Sequence, residues 1–445
     1  MKITIVGAGR VGLHLAKYFV DEHQDVFLVD DDRNRLSIAE SDFNLRTFAG
    51  DPLDFNILRE ANSGRADVFV AVTASAASNM MACAMAKSLG AKETIARIDK
   101  FDFLQQSNLE VIRRMGVDHV VHPDHLAALS LISSLTHSWS YGWNDFDNGA
   151  IVMAAVAVNE DSAIAGRYLK EMYRENRMIH ISALKRNGKT IIPHGDDMIM
   201  AGDILYITTV PEGIERVKEV TSKEDREIKR VILMGGSNVA ELAARMAGRQ
   251  FSLVIVEKNL ERCRYLTETC TDARIIYGDG SEQDVLDEAG INRCDAFVAL
   301  SDNSESNILG CFMAHDEGVV RTIAEVEKEQ YIATAESFGI GAIINKPIIT
   351  ANAIFQLILE SDASSSRCFA MKDAEVTRMV INEDSHLTKG PVSSLRLPKE
   401  LNFAGLIRDG KGQTVTGSTV FQPGDSVIVF CLNGAMQKVE KLFRK

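Results

Sequence analysis

The ten residues from Ile3 to Gly12 read I-T-I-V-G-A-G-R-V-G, and those from Val231 to Ala240 read V-I-L-M-G-G-S-N-V-A, 228 positions later. The same offset pairs Gly50-Asp51 with Gly278-Asp279, Thr73 with Ser301, Asn79 with Asn307, and Ile95-Ala96-Arg97 with Ile323-Ala324-Glu325. Matching patterns call for matching elements, so the chain must fold as two copies of one architecture. At 445 residues it exceeds what a single hydrophobic core serves. Each half, at roughly 220 residues, has room for more than one domain.

Each half opens by alternating strand and helix. The expected strands of the first are Lys2–Val6, Asp25–Val29, Arg46–Ala49, Asp67–Val72, Thr94–Ile98 and His119–His122. They are short, rich in Val and Ile, and apolar on both sides, as strands of a parallel sheet covered on both faces must be. Val11, Leu15, Tyr18 and Phe19 lie at helical spacing between the first two, and Val239, Ala243, Met246 and Ala247 repeat that face. Right-handed crossovers then produce a doubly wound sheet. After Pro123 a helical run from Asp124 to about Trp139 carries Leu126, Leu129, Ile132 and Leu135, and Pro347 to Leu359 is its counterpart. Both stripes hold more apolar surface than their own sheets cover.

Beyond Asn144–Gly149 the character changes. Residues 150–222 contain short strands broken at Lys185–Lys189 and Ala201–Asp203, the latter leading into Ile204–Thr208. Residues 367–445 repeat this with Arg408–Lys411 and with Pro423–Asp425 before Ser426–Phe430. Ser222–Glu227 is a charged linker. The fold class is therefore α/β: two tandem Rossmann-like doubly wound parallel sheets, each followed by a small α+β C-terminal module. The expected boundaries are 1–140, 141–223, 228–360 and 361–445.

With 46% hydrophobic and 25% charged residues the balance is that of an ordinary globular chain, and the formal charge of −13 disfavours nucleic acid and anionic lipid. The basic cluster Lys438, Lys441, Arg444 and Lys445 reads as a solvated helix end. The longest strongly apolar run, Ile151 to Val158, is strand length, against ~20 residues for a membrane span, so no direct membrane insertion is expected. With a strand expected from Lys2 onward, no secretory leader is expected. Seven cysteines without a C-x-x-C pair fit reduced thiols in a cytoplasm, with Cys263 and Cys270 in the interior.

Gly7, Gly9 and Gly12 form G-x-G-x-x-G between a strand and an amphipathic helix. Gly7 permits the tight turn, Gly9 lets a pyrophosphate approach the backbone, and Gly12 lets the helix pack close while free N–H groups at its start face the phosphates. Asp30 closes the second strand, placed to accept ribose hydroxyls. Asp31 and Asp32 repel a 2′-phosphate, which favours NAD(H) or an unphosphorylated adenosine ribose; Arg33 and Arg35 temper that. Arg10 sits inside the loop, within reach of a phosphate. In the second half Gly235, Gly236, Ser237, Asn238 and Val239 replace the loop, Ser237 standing at the middle glycine and Ala240 at the last, and Glu257 replaces Asp30. Glu325 opposes Arg97, a charge reversal. No G-x-S-x-G, H-E-x-x-H or Walker A pattern is present, and the small modules lack the acid/base grouping of a hydride-transfer enzyme. His119, His122 and His125 cluster in sequence, but Pro123 turns the chain among them, so no metal site is expected.

On these residues, over essentially its whole length, the chain resembles the TrkA-type peripheral subunits of Trk potassium-uptake systems, built from two RCK (KTN) units. The resemblance rests on Val6–Gly12, Asp30, Gly50-Asp51, Thr73 and Asn79, Ile95–Arg97 and the Gly-Asp turn of each C-terminal module. It implies a cytoplasmic ring that binds NAD(H), ATP or ADP and gates a separate potassium-translocating membrane protein; a ring of eight units makes a homotetramer. By position, Gly7, Ala8, Gly9, Arg10 and Val11 would hold phosphates, Asp30 the ribose, and Asp51, Thr73, Ala74 and Arg97 the rest of the nucleotide. Asp279 and Glu325 are their weaker counterparts in the second half. Thr73–Asn79 departs from the family's usual acidic run, which Ser301–Asn307 retains. An NAD-dependent oxidoreductase and a regulator of another cation carrier are the competing readings.

Overall fold

The architecture is that of a computed structural model describing residues 1–43, 45–175, 177–224, 226–360, 365–370, 374–395 and 397–444. Its contacts divide into two bodies: Met1–Leu129 with Asn345–Ser361, and Ser130–Ile344 with Asp362–Lys445.

The first body is built on six parallel strands, Lys2–Val6, Asp25–Asp30, Arg46–Ala49, Val68–Ala71, Glu93–Arg97 and His119–Val121. Their spatial order is third, second, first, fourth, fifth, sixth, the doubly wound order whose direction reverses beside the first strand. The fourth and fifth strands differ from their sequence boundaries by one residue at each end. Val68–Ala71 is buried throughout because helices cover both faces. Arg10–Asp21 lays Val11, Leu15, Ala16 and Phe19 on one face, and Ala76–Leu89 is stopped by Gly90 at φ +117°.

A further helix in this body comes from far along the chain. Lys346–Glu360 packs against Arg10–Asp21, so Ala351, Ile354, Phe355 and Ile358 join one core with Leu15 and Phe19. The Phe355 ring centroid lies 5.0 Å from Phe19 and 4.0 Å from Tyr18. Lys346 Nζ meets Asp124 Oδ1 at 3.4 Å. The chain-order boundary at residue 360 thus groups with the second half a helix whose apolar face belongs to the first.

The earlier crossover helix runs Pro123–Thr136. Its buried face is Ala127, Ala128, Leu131 and Leu135, while Leu129 is 45% exposed. Of the expected Leu126–Leu129–Ile132–Leu135 stripe, Leu135 is buried, Leu126 and Ile132 are partly buried and Leu129 points outward, while the alanines complete the buried face.

The second body repeats the parallel sheet with Arg230–Met234, Ser252–Glu257, Ala273–Tyr277, Ala296–Ala299, Arg321–Glu325 and Ala342–Ile344 in the same order. It also contains two five-stranded antiparallel sheets of identical topology. In the first, Ile179–Arg186 turns into Lys189–Ile191 through Asn187 (φ +51°) and Gly188 (φ +75°); in the second, Leu401–Arg408 turns into Lys411–Gln413 through Asp409 (φ +51°) and Gly410 (φ +74°). Two successive positive φ angles make these primed hairpin turns, which match strand twist. Each module is pinned by a fork: both Asp203 oxygens take Arg186 at 2.7 Å, and both Asp425 oxygens take Arg408 at 2.7 Å. Phe146, Ile151, Met153 and Ala183 form one core with Val376, Ala404 and Phe430, so the two modules face each other. There His180 Nε2 meets Asn402 Oδ1 at 3.0 Å.

Candidate functional site

Gly7, at φ +105°, turns the chain out of the first strand and donates its N–H to the Val29 carbonyl at 2.8 Å. A Cβ there would lie 2.9 Å from the Thr73 nitrogen, and one on Gly12 would collide with the Gly7 carbonyl oxygen. Both positions need glycine for packing. Gly9 differs, since no described atom lies within 4 Å of where its Cβ would be. It keeps space open above the backbone. It is also the N-cap of Arg10–Asp21 and brings no side chain to the helix's first N–H groups. Those groups and the helix dipole form a positive end open to an anion.

Asp30 is 6% exposed. Its Oδ2 accepts the Ala8 N–H at 2.5 Å and its Oδ1 the Asp32 N–H at 2.9 Å. A carboxylate offers about four acceptor directions, so about two remain for a diol. Arg35 lies 4.0 Å from Asp30 and 3.4 Å from Asp32 and is 55% exposed.

The other expected residues gather at the same edge of the sheet. Gly50 donates to the Asp30 carbonyl at 3.0 Å, which sets Asp51 beside it. The Asp51 carboxylate caps the Leu53 N–H at 2.8 Å. Thr73 adjoins Gly7, and Ala74 is exposed next to it. Arg97 ends the fifth strand, but Asp99 takes its guanidinium at 3.1 and 3.3 Å. Val11 is buried and presents only backbone to the crevice, and Arg10 is exposed at the helix start. Asn79, fully buried, brackets the edge: its Oδ1 accepts from the Thr73 N–H and hydroxyl at 2.9 and 2.6 Å, and its amide donates to the Thr73 and Arg97 carbonyls at 3.1 and 2.9 Å.

The second crevice keeps the frame and changes the contents. Gly235 turns at φ +100°. Asn307 repeats the bracket, accepting from Ser301 at 2.9 and 2.6 Å and donating to Ser301 and Glu325 carbonyls at 2.8 and 2.9 Å. Glu257 takes the Gly236 and Asn259 N–H groups, each at 2.7 Å. Ser237, however, caps the helix itself, its hydroxyl accepting the Ala240 N–H at 3.3 Å. Arg262 crosses to the loop and donates to the Gly236 carbonyl at 2.7 Å, the Asn238 side chain at 3.3 Å and Glu241 at 2.9 Å. Val239 is buried, and Glu325 is buried at its strand end. The Asp279 carboxyl is held below its usual range by the Ser281 N–H and hydroxyl, at 2.9 and 2.7 Å. Arg262 and Glu241 escaped the sequence reading, although Glu241 standing where the first half has Leu13 was a visible signal.

The histidine cluster does not assemble a metal site among the described residues. His122 Nδ1 accepts the His125 N–H at 3.1 Å, and burial pushes both imidazoles below the ordinary histidine value.

Fold and crevice together define a tandem dinucleotide-fold protein with a small module after each copy. Residues 3–123 and 231–346 match the TrkA-N domain, and residues 153–222 and 376–444 the TrkA-C domain. The chain belongs to this family of TrkA-N and TrkA-C domain proteins. It is 28% identical over 454 residues to the Trk system potassium uptake protein TrkA of Azorhizobium caulinodans, covering 100% of this chain and 99% of that one. The TrkA protein of Haemophilus influenzae is likewise 28% identical over 454 residues, with the same coverage. Among solved structures the fold is shared with the GsuK RCK domain (TM-score 0.62, 16% identity, covering 99% of this chain and 94% of that chain). It is shared also with the GsuK channel bound to NAD (0.61, 16%, 99% and 78%) and with GsuK bound to ADP (0.52, 13%, 81% and 70%). No described helix is long and apolar enough to cross a membrane.

Proposed function

We propose that this chain is the peripheral cytoplasmic regulatory subunit of a Trk-type potassium uptake system, which binds NAD(H) or an adenine nucleotide and gates a membrane potassium-translocating partner. The observation that carries the ligand is the pairing of an uncapped helix start over open Gly9 with a buried Asp30 already oriented by the loop. Phosphates sit over Gly7–Gly12 beside Arg10, and Asp30 accepts the ribose hydroxyls. Asp51, Thr73 and Ala74 line the remainder, with Arg97 behind them on Asp99. The relatives named as TrkA supply the potassium partner, and the GsuK complexes with NAD and ADP support the ligand class.

A nucleotide changes the assembly only if its affinity differs between two arrangements of the units. The C-terminal modules carry that difference to the membrane protein. The subunit binds without turnover, and two units per chain in a ring of eight make a homotetramer. The decisive measurement is potassium flux in liposomes holding the membrane protein and this subunit, with NADH, NAD, ATP and ADP in turn. Flux that depends on the subunit and changes with the nucleotide is expected. Equal flux under all four, with and without the subunit, returns an oxidoreductase to first place. Light scattering should find a tetramer at micromolar concentration.

A further inference from the structure

We infer that the second crevice is shut by its own side chains, so that each chain carries one nucleotide, in the first. The inference rests on the nucleotide reading above.

Three features that the first crevice leaves open are filled in the second. The helix start over Gly9 has no side chain upon it, whereas Ser237 spends its hydroxyl on the Ala240 N–H. The space over Gly9 is empty of described atoms, whereas Ser237, at the matching position, puts a side chain into it. The third feature is charge. Arg35 and Arg262 occupy matching places, two residues into the helix that follows the acidic residue's strand. Arg35 is 55% exposed and faces Asp30 and Asp32. Arg262 is 25% exposed and grips the Gly236 carbonyl and Glu241, itself 10% exposed. Tyr265 holds the other Glu241 oxygen at 3.2 Å and lies under the Arg262 guanidinium at 5.0 Å.

The first half cannot build this clamp, because Leu13 and Ile38 stand where Glu241 and Tyr265 do. An apolar pair offers the guanidinium no acceptor, so Arg35 stays over the crevice, available to a ligand. In the second half an incoming phosphate must strip Arg262 from a buried carboxylate, which is then left with the Tyr265 hydroxyl at 3.2 Å and Arg245 at 3.7 Å, and must displace the serine cap. A nucleotide brings one set of acceptors, and the clamp already supplies them.

The test is calorimetric titration of the full chain with NADH and with ADP. Wild type should take one equivalent, Gly9→Val none, and Ser237→Gly/Glu241→Leu a second equivalent that survives Gly9→Val. Glu241→Gln keeps side-chain volume, guards against misfolding of the double variant, and should admit the second equivalent about tenfold more weakly. Two equivalents in wild type, one of them surviving Gly9→Val, overturn the closure and leave the nucleotide reading standing. No second equivalent in either folded Glu241 variant also overturns the closure. No binding in wild type with one equivalent in the double variant upholds the closure and overturns the first-site reading.

Discussion

The two crevices of this chain share a frame and differ in what fills it. Each has a left-handed glycine after the first strand, an acidic residue that takes a loop N–H, and an asparagine that ties the fourth strand's loop to the fifth strand. One frame is open and the other holds an internal ion pair. The frame is a requirement of folding, since it satisfies backbone groups at a sheet edge where loops meet. The contents are a matter of ligand, and they change with three or four side chains while the frame stays put.

The largest expected effect breaks that comparison at its centre. Gly9→Val should abolish nucleotide binding, by about a thousandfold or ~4 kcal/mol, while thermal unfolding stays within a degree or two, because no described atom opposes a new side chain there. Calorimetry that finds wild-type affinity would show the open space to be irrelevant. Next come the brackets: Asn79→Ala and Asn307→Ala each strand several buried partners and should each cost about 3 kcal/mol in denaturant unfolding. Unequal costs would mean that the frames are not equivalent. Asp30→Ala should lose about 1.5–3 kcal/mol of nucleotide affinity, and Glu257→Ala none; a loss in the second variant alone would reverse the assignment of the sites.

The modules supply a smaller contrast. Burial pushes the His180 imidazole down to about 4, where it faces Tyr173 and Asn402. The neutral ring is therefore the native form. Its contribution is intact above about pH 6.5 and is lost as pH falls from there towards 4, on the order of 1.4 kcal/mol by pH 5.5. His180→Asn, which makes the two modules alike at this place, should flatten that slope in melts from pH 7.5 to 5. An unchanged slope would put the titration elsewhere. Smallest is the cap: Ser237→Ala should cost about 0.5–1 kcal/mol of stability and leave nucleotide stoichiometry as it is.

Much of this was legible in the chain. The duplication, the strand rhythm and the three glycines announce paired doubly wound sheets, and Asp30 stands at the end of a recognisable second strand. Ser237 and Glu257 mark the second loop as altered. What stayed hidden depends on neighbours distant in sequence. Arg262 meets Glu241 across two helices, and nothing local marks either as a partner of the other. Asn79 was visible only as a repeated residue, and the fold alone shows all its polar atoms turned to backbone and Thr73. Arg97 faces the expected crevice edge, but Asp99 holds it. The apolar face of Lys346–Glu360 was visible, yet periodicity cannot say which sheet it covers.

That last helix sets an order on synthesis. The first parallel sheet is complete when residue 121 has been made, and Arg10–Asp21 then carries a face meant for Ile354, Phe355 and Ile358. Those residues follow roughly 230 positions later, which at about 5–20 residues per second is roughly 12 to 47 seconds of translation. For that interval the nascent domain exposes Tyr18 and Phe19 to whatever is near, including the same face of a neighbouring nascent chain. A ribosome pause placed between residues 130 and 340 would lengthen the exposure, and a faster passage would shorten it.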